Sequence, residues 1–191
     1  VTNTSATVSW TDIGDATSWE VSLTPFTSNS PIWFTSDTNT YNATDLSSNT
    51  YYSIKVRPLC GFDLISPSRQ AVLITNTNYC NGIVITDTGG ISEDYTSLES
   101  YVRTIIPNVA NQKIRLSFSS FDLEDKFDYL YIYDGNSTSA TDLSQGGFTG
   151  TTLSGTFEST AIDGSLTLEF YSDAYEVGAG YEANVDCVSN L

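Results

Sequence analysis

The segment "FDLEDKFDYLYIYDG", residues 121–135, places an acidic loop directly before a run of aliphatic and aromatic residues. The run "YLYIYD" has the composition of a β-strand. Four of the acids, Asp122, Glu124, Asp125 and Asp128, fall within seven positions, with one lysine among them. Like charges this close repel one another. The segment therefore predicts a β-sheet edge at which something positively charged binds.

Composition narrows the classes of function. The 191 residues include 23 acidic and 7 basic ones, for a net charge of −16, which disfavours nucleic acids and anionic membranes and favours cations or partners bearing Lys and Arg. The chain has no histidine, so triads with an imidazole base and the common zinc sites are excluded. No stretch approaches the roughly 20 apolar residues of a membrane span. Because the sequence has neither an initiator Met nor a signal-like start, we expect it to be part of a larger protein.

The first 76 residues contain short alternating segments separated by polar turns, which is the spacing of a β-sandwich. One such segment has Tyr52, Ile54 and Val56 on one face and polar residues between them. A set of residues in this part resembles a fibronectin type III domain, and its members are Trp10, Leu46, Thr50, Tyr52, Ile54 and Val56. The resemblance covers residues 1–76 and implies a scaffold or spacer.

A polar bridge, "TNTNYCNG" at residues 75–82, marks the end of this domain, and we place a linker at 77–79. Residues 79–191 then hold seventeen acidic and four basic residues, so most of the negative charge lies there. Apolar and polar residues alternate at 114–118 and at 166–170, and Gly, Asn, Asp and Ser occupy the turns between the predicted strands. We therefore expect an all-β chain of two β-sandwich domains in tandem, the second an antiparallel sandwich or jelly roll.

Motifs of the second part carry a more specific resemblance. "FDLE" at 121–124 precedes a strand ending in "IYDG", "LEFYSD" and "GAGYEA" follow within 168–183, and a Cys-x-Gly opening lies at 80–82. Together they resemble the CUB family of extracellular β-sandwich modules, over about residues 79–188. The resemblance implies a CUB-like jelly-roll domain over residues 80–191.

The same resemblance implies one calcium ion at an end of the sandwich. Its implied ligands are the carboxylates of Glu124, Asp128 and Asp173, completed by loop carbonyls of Ala174, Tyr175 or Glu176 or by the Glu176 side chain. Tyr95 is implied as a hydroxyl that orients a ligand carboxylate. The chemistry agrees, because Ca²⁺ takes about six to eight oxygen ligands and two or three carboxylates offset its charge.

Other interpretations of the acidic loop lead elsewhere. An EF-hand is excluded, because Phe127 stands where that loop needs Gly. A second interpretation is that the acidic residues form a solvated loop without a metal, because most runs of charged residues are simply exposed to solvent. Three residues separate Glu124 from Asp128, where animal CUB domains have a longer loop with a cysteine, so the ligand geometry is open as well.

The chain has three cysteines, Cys60, Cys80 and Cys187, which allow one disulfide. Bacterial members of the CUB family join their first and last cysteines, and this resemblance implies a Cys80–Cys187 bridge with Cys60 as a lone thiol. A Cys60–Cys80 bridge across the domain boundary is the alternative.

These observations lead to a non-catalytic, calcium-dependent binding or adhesion module of a larger secreted or surface protein. Its expected ligand is an extracellular protein bearing Lys or Arg, or a glycan, with Tyr175 and Tyr181 as exposed contact residues. The alternative is a structural spacer within a secreted hydrolase, such as a protease or a polysaccharide-degrading enzyme, in which calcium only staples loops. An enzyme acting through paired carboxylates is the least favoured class, since nothing in the sequence marks a cleft between them.

Overall fold

The computed structural model describes the chain except for residues 3, 12–13, 27, 29, 49, 61–63, 66, 76–77, 154 and 190–191, and describes only the backbone of Cys60, Leu64 and Ile65. The described residues form two compact units, Val1–Thr77 and Asn78–Leu191. The fold is all-β, as predicted, and the strand pairs within the described residues are antiparallel. In this part of the chain no helix is long and apolar enough to cross a membrane.

The first unit contains seven described strands in two sheets. The strands are β1 (Ala6–Ser9), β2 (Trp19–Pro25), β3 (Trp33–Ser36), β4 (Thr40–Ala43), β5 (Tyr51–Cys60), β6 (Leu64–Ile65) and β7 (Arg69–Ile74). β1 pairs with β4, and the second sheet runs β3–β2–β5–β7, with the short β6 on the end of β5.

The two sheets of the first unit share one hydrophobic core. Ala6 of β1 packs with Tyr52 and Ile54 of β5 and with Leu73 of β7, and all four are buried. The predicted alternation of β5 therefore places its apolar face in the core. The Tyr52 hydroxyl accepts a hydrogen bond from the Ser47 amide (2.8 Å), so the ring is tied to the turn that precedes its strand.

The second unit begins with a 3-10 turn and contains eight described strands. They are β8 (Ile83–Thr86), β9 (Ser100–Ile105), β10 (Gln112–Asp122), β11 (Tyr129–Asp134), β12 (Thr141–Asp142), β13 (Gly155–Glu158), β14 (Leu166–Tyr171) and β15 (Gly180–Ser189), after the turn Tyr79–Asn81. Two four-stranded sheets result, in the orders β13–β10–β15–β8 and β12–β11–β14–β9.

The core of the second unit lies between these two sheets. Ile114 and Leu116 of β10 and Leu168 and Phe170 of β14 are all fully buried, each burial contributing roughly 1.5–3 kcal/mol. The ring of Phe170 lies 5.9 Å from that of Tyr181 on the other sheet, so the sheets pack face to face. The alternation predicted at 114–118 and 166–170 is thus the pattern of inward-facing positions.

A disulfide joins Cys80 in the 3-10 turn to Cys187 in β15, with the two Cα atoms 4.9 Å apart. This confirms the predicted bridge and excludes the alternative Cys60–Cys80 pairing. The Cys60 side chain lies outside the described part of the chain, so its predicted state as a lone thiol stays a prediction.

Candidate metal centre

The acidic loop joins the end of β10 to the start of β11 and is closed by its own backbone. The Asp128 amide donates to the Glu124 carbonyl (3.2 Å), and Lys126 adopts a positive φ of 68° between them. The Thr149 hydroxyl donates to the same carbonyl (3.0 Å). These contacts hold the backbones of Glu124 and Asp128 one turn apart.

Antiparallel pairing of β11 with β14 brings Asp173 to this loop. Tyr129, the first residue of β11, lies opposite Tyr171, the last residue of β14. Asp128 directly precedes β11 and Asp173 follows β14, so both lie beyond the same end of the ladder. The Asp173 amide donates to the Asp128 carboxylate (2.8 Å), which fixes the two loops to each other.

The side chains of Glu124, Asp128 and Asp173 converge there, and one carboxylate oxygen from each lies within 4.8 Å of the others. Asp128 is fully buried, whereas the other two are half-buried. The hydroxyl of Tyr95, itself buried, donates to the Asp128 carboxylate and accepts from the Glu124 amide (3.0 Å). Tyr95 is thus in position to orient Asp128.

Burial and mutual repulsion oppose the ionisation of these groups. The pKa of Glu124 is raised, first by burial and then by the charges of Asp173 and Asp128. Glu176 adds to the same rise. Burial also raises the pKa of Asp128, against the hydrogen bonds from Tyr95 and the Asp173 amide. The ionised cluster is therefore short of positive charge.

The donor set fits a hard divalent cation. The cluster offers carboxylate oxygens, the ligands that Ca²⁺ prefers, and Oε2 of Glu124 is buried without a hydrogen-bond partner among the described residues. A buried unsatisfied oxygen indicates a missing partner. Lys126, the basic residue of the loop, pairs instead with Asp125 (3.1 Å). The residues present fit a calcium ion.

The remaining predicted ligands lie in the loop after β14. Tyr175 is 83% exposed, and its amide donates to the Asp173 carboxylate (2.8 Å), so the chain turns directly after Asp173. The Glu176 side chain is exposed and close enough for its charge to raise the pKa of Glu124. Both residues therefore border the cluster without belonging to its three converging carboxylates.

The prediction that Tyr181 is an exposed contact residue was wrong. Tyr181 is 1% exposed, and its hydroxyl shares a hydrogen bond with that of Tyr101 (3.0 Å) inside the core. The reason is strand parity, because Tyr181 occupies the same inward-facing set of β15 as Ala183 and Val185.

Sequence reasoning also missed a buried polar group around Asp87, Glu99 and Arg103. The two acids are fully buried and Arg103 is 7% exposed. Asp87 accepts from the amides of Gly89 (2.8 Å) and Tyr181 (2.6 Å), and Arg103 donates to the Thr86 carbonyl (3.1 Å). One signal was available, since Arg103 alternates with Tyr101 and Ile105 on the buried face of β9.

Comparisons with known proteins concern the fold and the family of the chain. Among solved structures, the chitinase ChiA74 from Bacillus thuringiensis is similar with a TM-score of 0.38 and 14% identity, over 97% of this chain and 26% of that chain. The CUB1-EGF-CUB2 region of human MASP-1/3 is similar with a TM-score of 0.47 and 13% identity. This match covers 98% of this chain and 94% of that chain. No curated protein sequence matches significantly. The family model for the CUB domain matches residues 80–185, more than half of the 191 residues. The chain belongs to the CUB domain family.

Proposed function

We propose that the chain is a non-catalytic, calcium-dependent binding module of a larger extracellular protein. The observation that carries the proposal is the convergence of Glu124, Asp128 and Asp173 around a buried oxygen without a partner. CUB domains are in general binding modules that mediate protein interactions, which supports a role in recognition for this one.

In this proposal, hydrogen bonds hold the acidic cluster in place before calcium binds. Asp128 is held rigidly by the Tyr95 hydroxyl and the Asp173 amide. The backbone of Glu124 is held in its turn by the hydrogen bond from the Asp128 amide. A bound Ca²⁺ would supply the positive charge that the three clustered carboxylates lack.

The charge that remains at the site determines the kind of ligand. Three carboxylates exceed the charge of one divalent cation, so the edge stays negative and attracts Lys or Arg of a protein partner. The exposed ring of Tyr175 stands beside it and is suited to contact either a protein or a glycan. Nucleic acids are disfavoured by the net charge of −16.

The first unit is proposed to be a fibronectin type III domain that serves as a scaffold. The hydrogen bond from the Ser47 amide to the Tyr52 hydroxyl supports this (2.8 Å), because a tyrosine tied to the backbone a few residues upstream is typical of immunoglobulin-like sandwiches. The pairing of β1 with β4 opposite the β3–β2–β5–β7 sheet is consistent with such a sandwich.

An extracellular location is supported by two observations. CUB domains occur in extracellular proteins, and the Cys80–Cys187 disulfide is of a kind that persists in oxidising compartments. We expect the chain to act while covalently linked to further domains.

Titration calorimetry with CaCl₂ tests the metal, and a glycan array plus pull-down in calcium or in EGTA tests its role. Asp128→Asn should abolish both the calcium heat and the captured ligand. Asp125→Asn is the matched control, since it removes one charge from the same loop at a residue paired with Lys126. Absence of calcium heat for the unaltered chain would contradict the proposal.

A structural role is the second candidate. The Leu98 amide donates to the Asp173 carbonyl (2.7 Å) and the Tyr95 amide to the Gly178 carbonyl (3.3 Å), so a cation here would staple several loops. In that case the chain would be a stabilising spacer of a secreted hydrolase. EGTA would then lower the melting temperature and leave any captured ligand unchanged.

A further inference from the structure

The outer face of the β12–β11–β14–β9 sheet carries a row of tyrosines. Leu130 and Ile132 of β11 point into the core, so Tyr129, Tyr131 and Tyr133 lie on the opposite face. Neighbouring rings are near-parallel, with centroids 6.0 Å and 6.4 Å apart and interplanar angles of 29° and 15°. We call these three rings, together with Tyr171 and Glu169 beside them, the tyrosine face.

Pairing with β14 adds those two side chains. Tyr171 lies opposite Tyr129, and Glu169 lies opposite Tyr131. The Glu169 carboxylate accepts a hydrogen bond from the Tyr133 hydroxyl (2.8 Å). Tyr171 is 43% exposed. The face thus combines four aromatic rings with one carboxylate near their centre.

The ring positions are fixed before any ligand binds. The Tyr129 hydroxyl donates to the Lys126 carbonyl (2.8 Å). Gly147 approaches both Tyr129 and Tyr131 so closely that a Cβ there would lie 2.9 Å from each ring. By contrast, the Tyr131 hydroxyl has no hydrogen-bond partner among the described residues, so it is available to a ligand. Pre-positioned side chains lose little entropy on binding.

Charge selects the class of ligand. Burial raises the pKa of Tyr131, and the charges of the nearby Glu169 and Asp142 carboxylates add to the rise. Asp142 lies directly opposite Tyr133. A guanidinium matches this combination, because it stacks on an aromatic face and donates in a fork to a carboxylate. A neutral sugar would stack on the rings and donate hydroxyl hydrogen bonds to the carboxylate, but it would leave the negative charge unneutralised.

We infer that the tyrosine face binds an arginine-bearing segment of a protein partner, separately from the acidic cluster. Arginine stacks on the exposed Tyr171 ring and donates to the Glu169 carboxylate and to the Tyr131 hydroxyl. The inference goes beyond the proposed calcium-dependent recognition, because the carboxylate at this face already accepts a hydrogen bond from Tyr133 and requires no metal.

Fluorescence anisotropy with a labelled glycine–serine peptide carrying paired arginines tests this, at about physiological ionic strength to suppress non-specific attraction. The matched peptide carries citrulline, which keeps the shape and loses the charge. We expect saturable binding of the arginine peptide, equal in calcium and in EGTA, and about tenfold weaker binding of the citrulline peptide.

Glu169→Gln and Tyr131→Leu should each weaken the arginine peptide about five- to tenfold. Glu182→Gln removes the same charge from β15 of the other sheet, and Tyr41→Leu removes a ring from the first unit; neither should change binding. Glu169→Gln retains a hydrogen-bond acceptor for Tyr133, so it keeps the test valid if Tyr131→Leu fails to fold.

Four results would overturn the inference. One is the absence of saturable binding, and another is equal binding of the citrulline peptide. Perturbation of the tyrosine resonances by cellohexaose and not by the arginine peptide would assign the face to sugars. Loss of peptide binding in EGTA or in Asp128→Asn would assign the peptide site to the acidic cluster. Failure of the chain to bind calcium, with peptide binding retained, would contradict the proposed function and leave this inference standing.

Discussion

Replacing Glu99 by glutamine should remove a large part of the pH dependence of the second unit. The carboxyl is fully buried. One oxygen accepts from the Thr88 hydroxyl and from the amide (2.8 Å) and hydroxyl (2.9 Å) of Thr96. The other oxygen has no hydrogen-bond partner among the described residues. Burial, with a further contribution from the Asp87 charge, raises the pKa of Glu99 from 4.5 to about 7, against those hydrogen bonds.

The sign follows from proton linkage. Between pH 4.5 and about 7 the folded state binds more protons at Glu99 than the unfolded chain does, so the free energy of unfolding falls as pH rises through that window. Stability from this group is fully present below pH 4.5 and lost above about 7. Each pKa unit is worth about 1.4 kcal/mol, so the total is about 3 kcal/mol.

Glu99→Gln cannot ionise, so about 3 kcal/mol of this fall should disappear. Asp87, whose pKa burial raises to about 6, keeps its own contribution in both proteins. Urea unfolding at several pH values, followed by near-ultraviolet circular dichroism in EGTA, measures the difference. Tryptophan fluorescence monitors the first unit separately, since all three tryptophans lie in it. Glu93→Gln, at an exposed position, is the matched control, and equal pH profiles for Glu99→Gln and the unaltered chain would refute the reasoning.

Three further predictions concern the metal, the disulfide and the first unit. Calorimetric scans should show EGTA lowering the transition of the second unit alone, by about 2.7 kcal/mol relative to calcium at a hundredfold excess over Kd; Asp128→Asn should abolish the difference and Asp125→Asn preserve it. Cys187→Ser opens a loop with a sequence separation of 107 and should destabilise the second unit by up to about 4–5 kcal/mol in urea unfolding; an unchanged midpoint would contradict this. Tyr52→Phe should destabilise the first unit by about 1 kcal/mol, measured by tryptophan fluorescence, and no loss would show that the Ser47 hydrogen bond contributes nothing.

The local sequence pattern determines which residues form strands and which of their side chains face the core. Alternation with period two identifies which residues of β5, β10 and β14 face a core, because successive side chains of a strand point to opposite sides. Glu124 and Asp128 flank one short turn, so their proximity is a local property as well. The Cys80–Cys187 bridge and the CUB fold were predicted from the resemblance of short motifs to the CUB family and not from the alternation of apolar residues.

The tertiary structure decided what depends on sheet register. Asp173 meets Asp128 because β14 pairs with β11 in one register, and a shift by one residue would turn its side chains to the other face. The burial of Tyr181 follows from the same cause, since the pairing of Tyr181 with Phe121 turns its ring into the core. The raised pKa of Glu99 likewise comes first from burial, which packing of distant segments produces, against the local hydrogen bonds from Thr96. Periodicity is encoded within a few residues, whereas register and burial are properties of contacts between segments far apart in sequence.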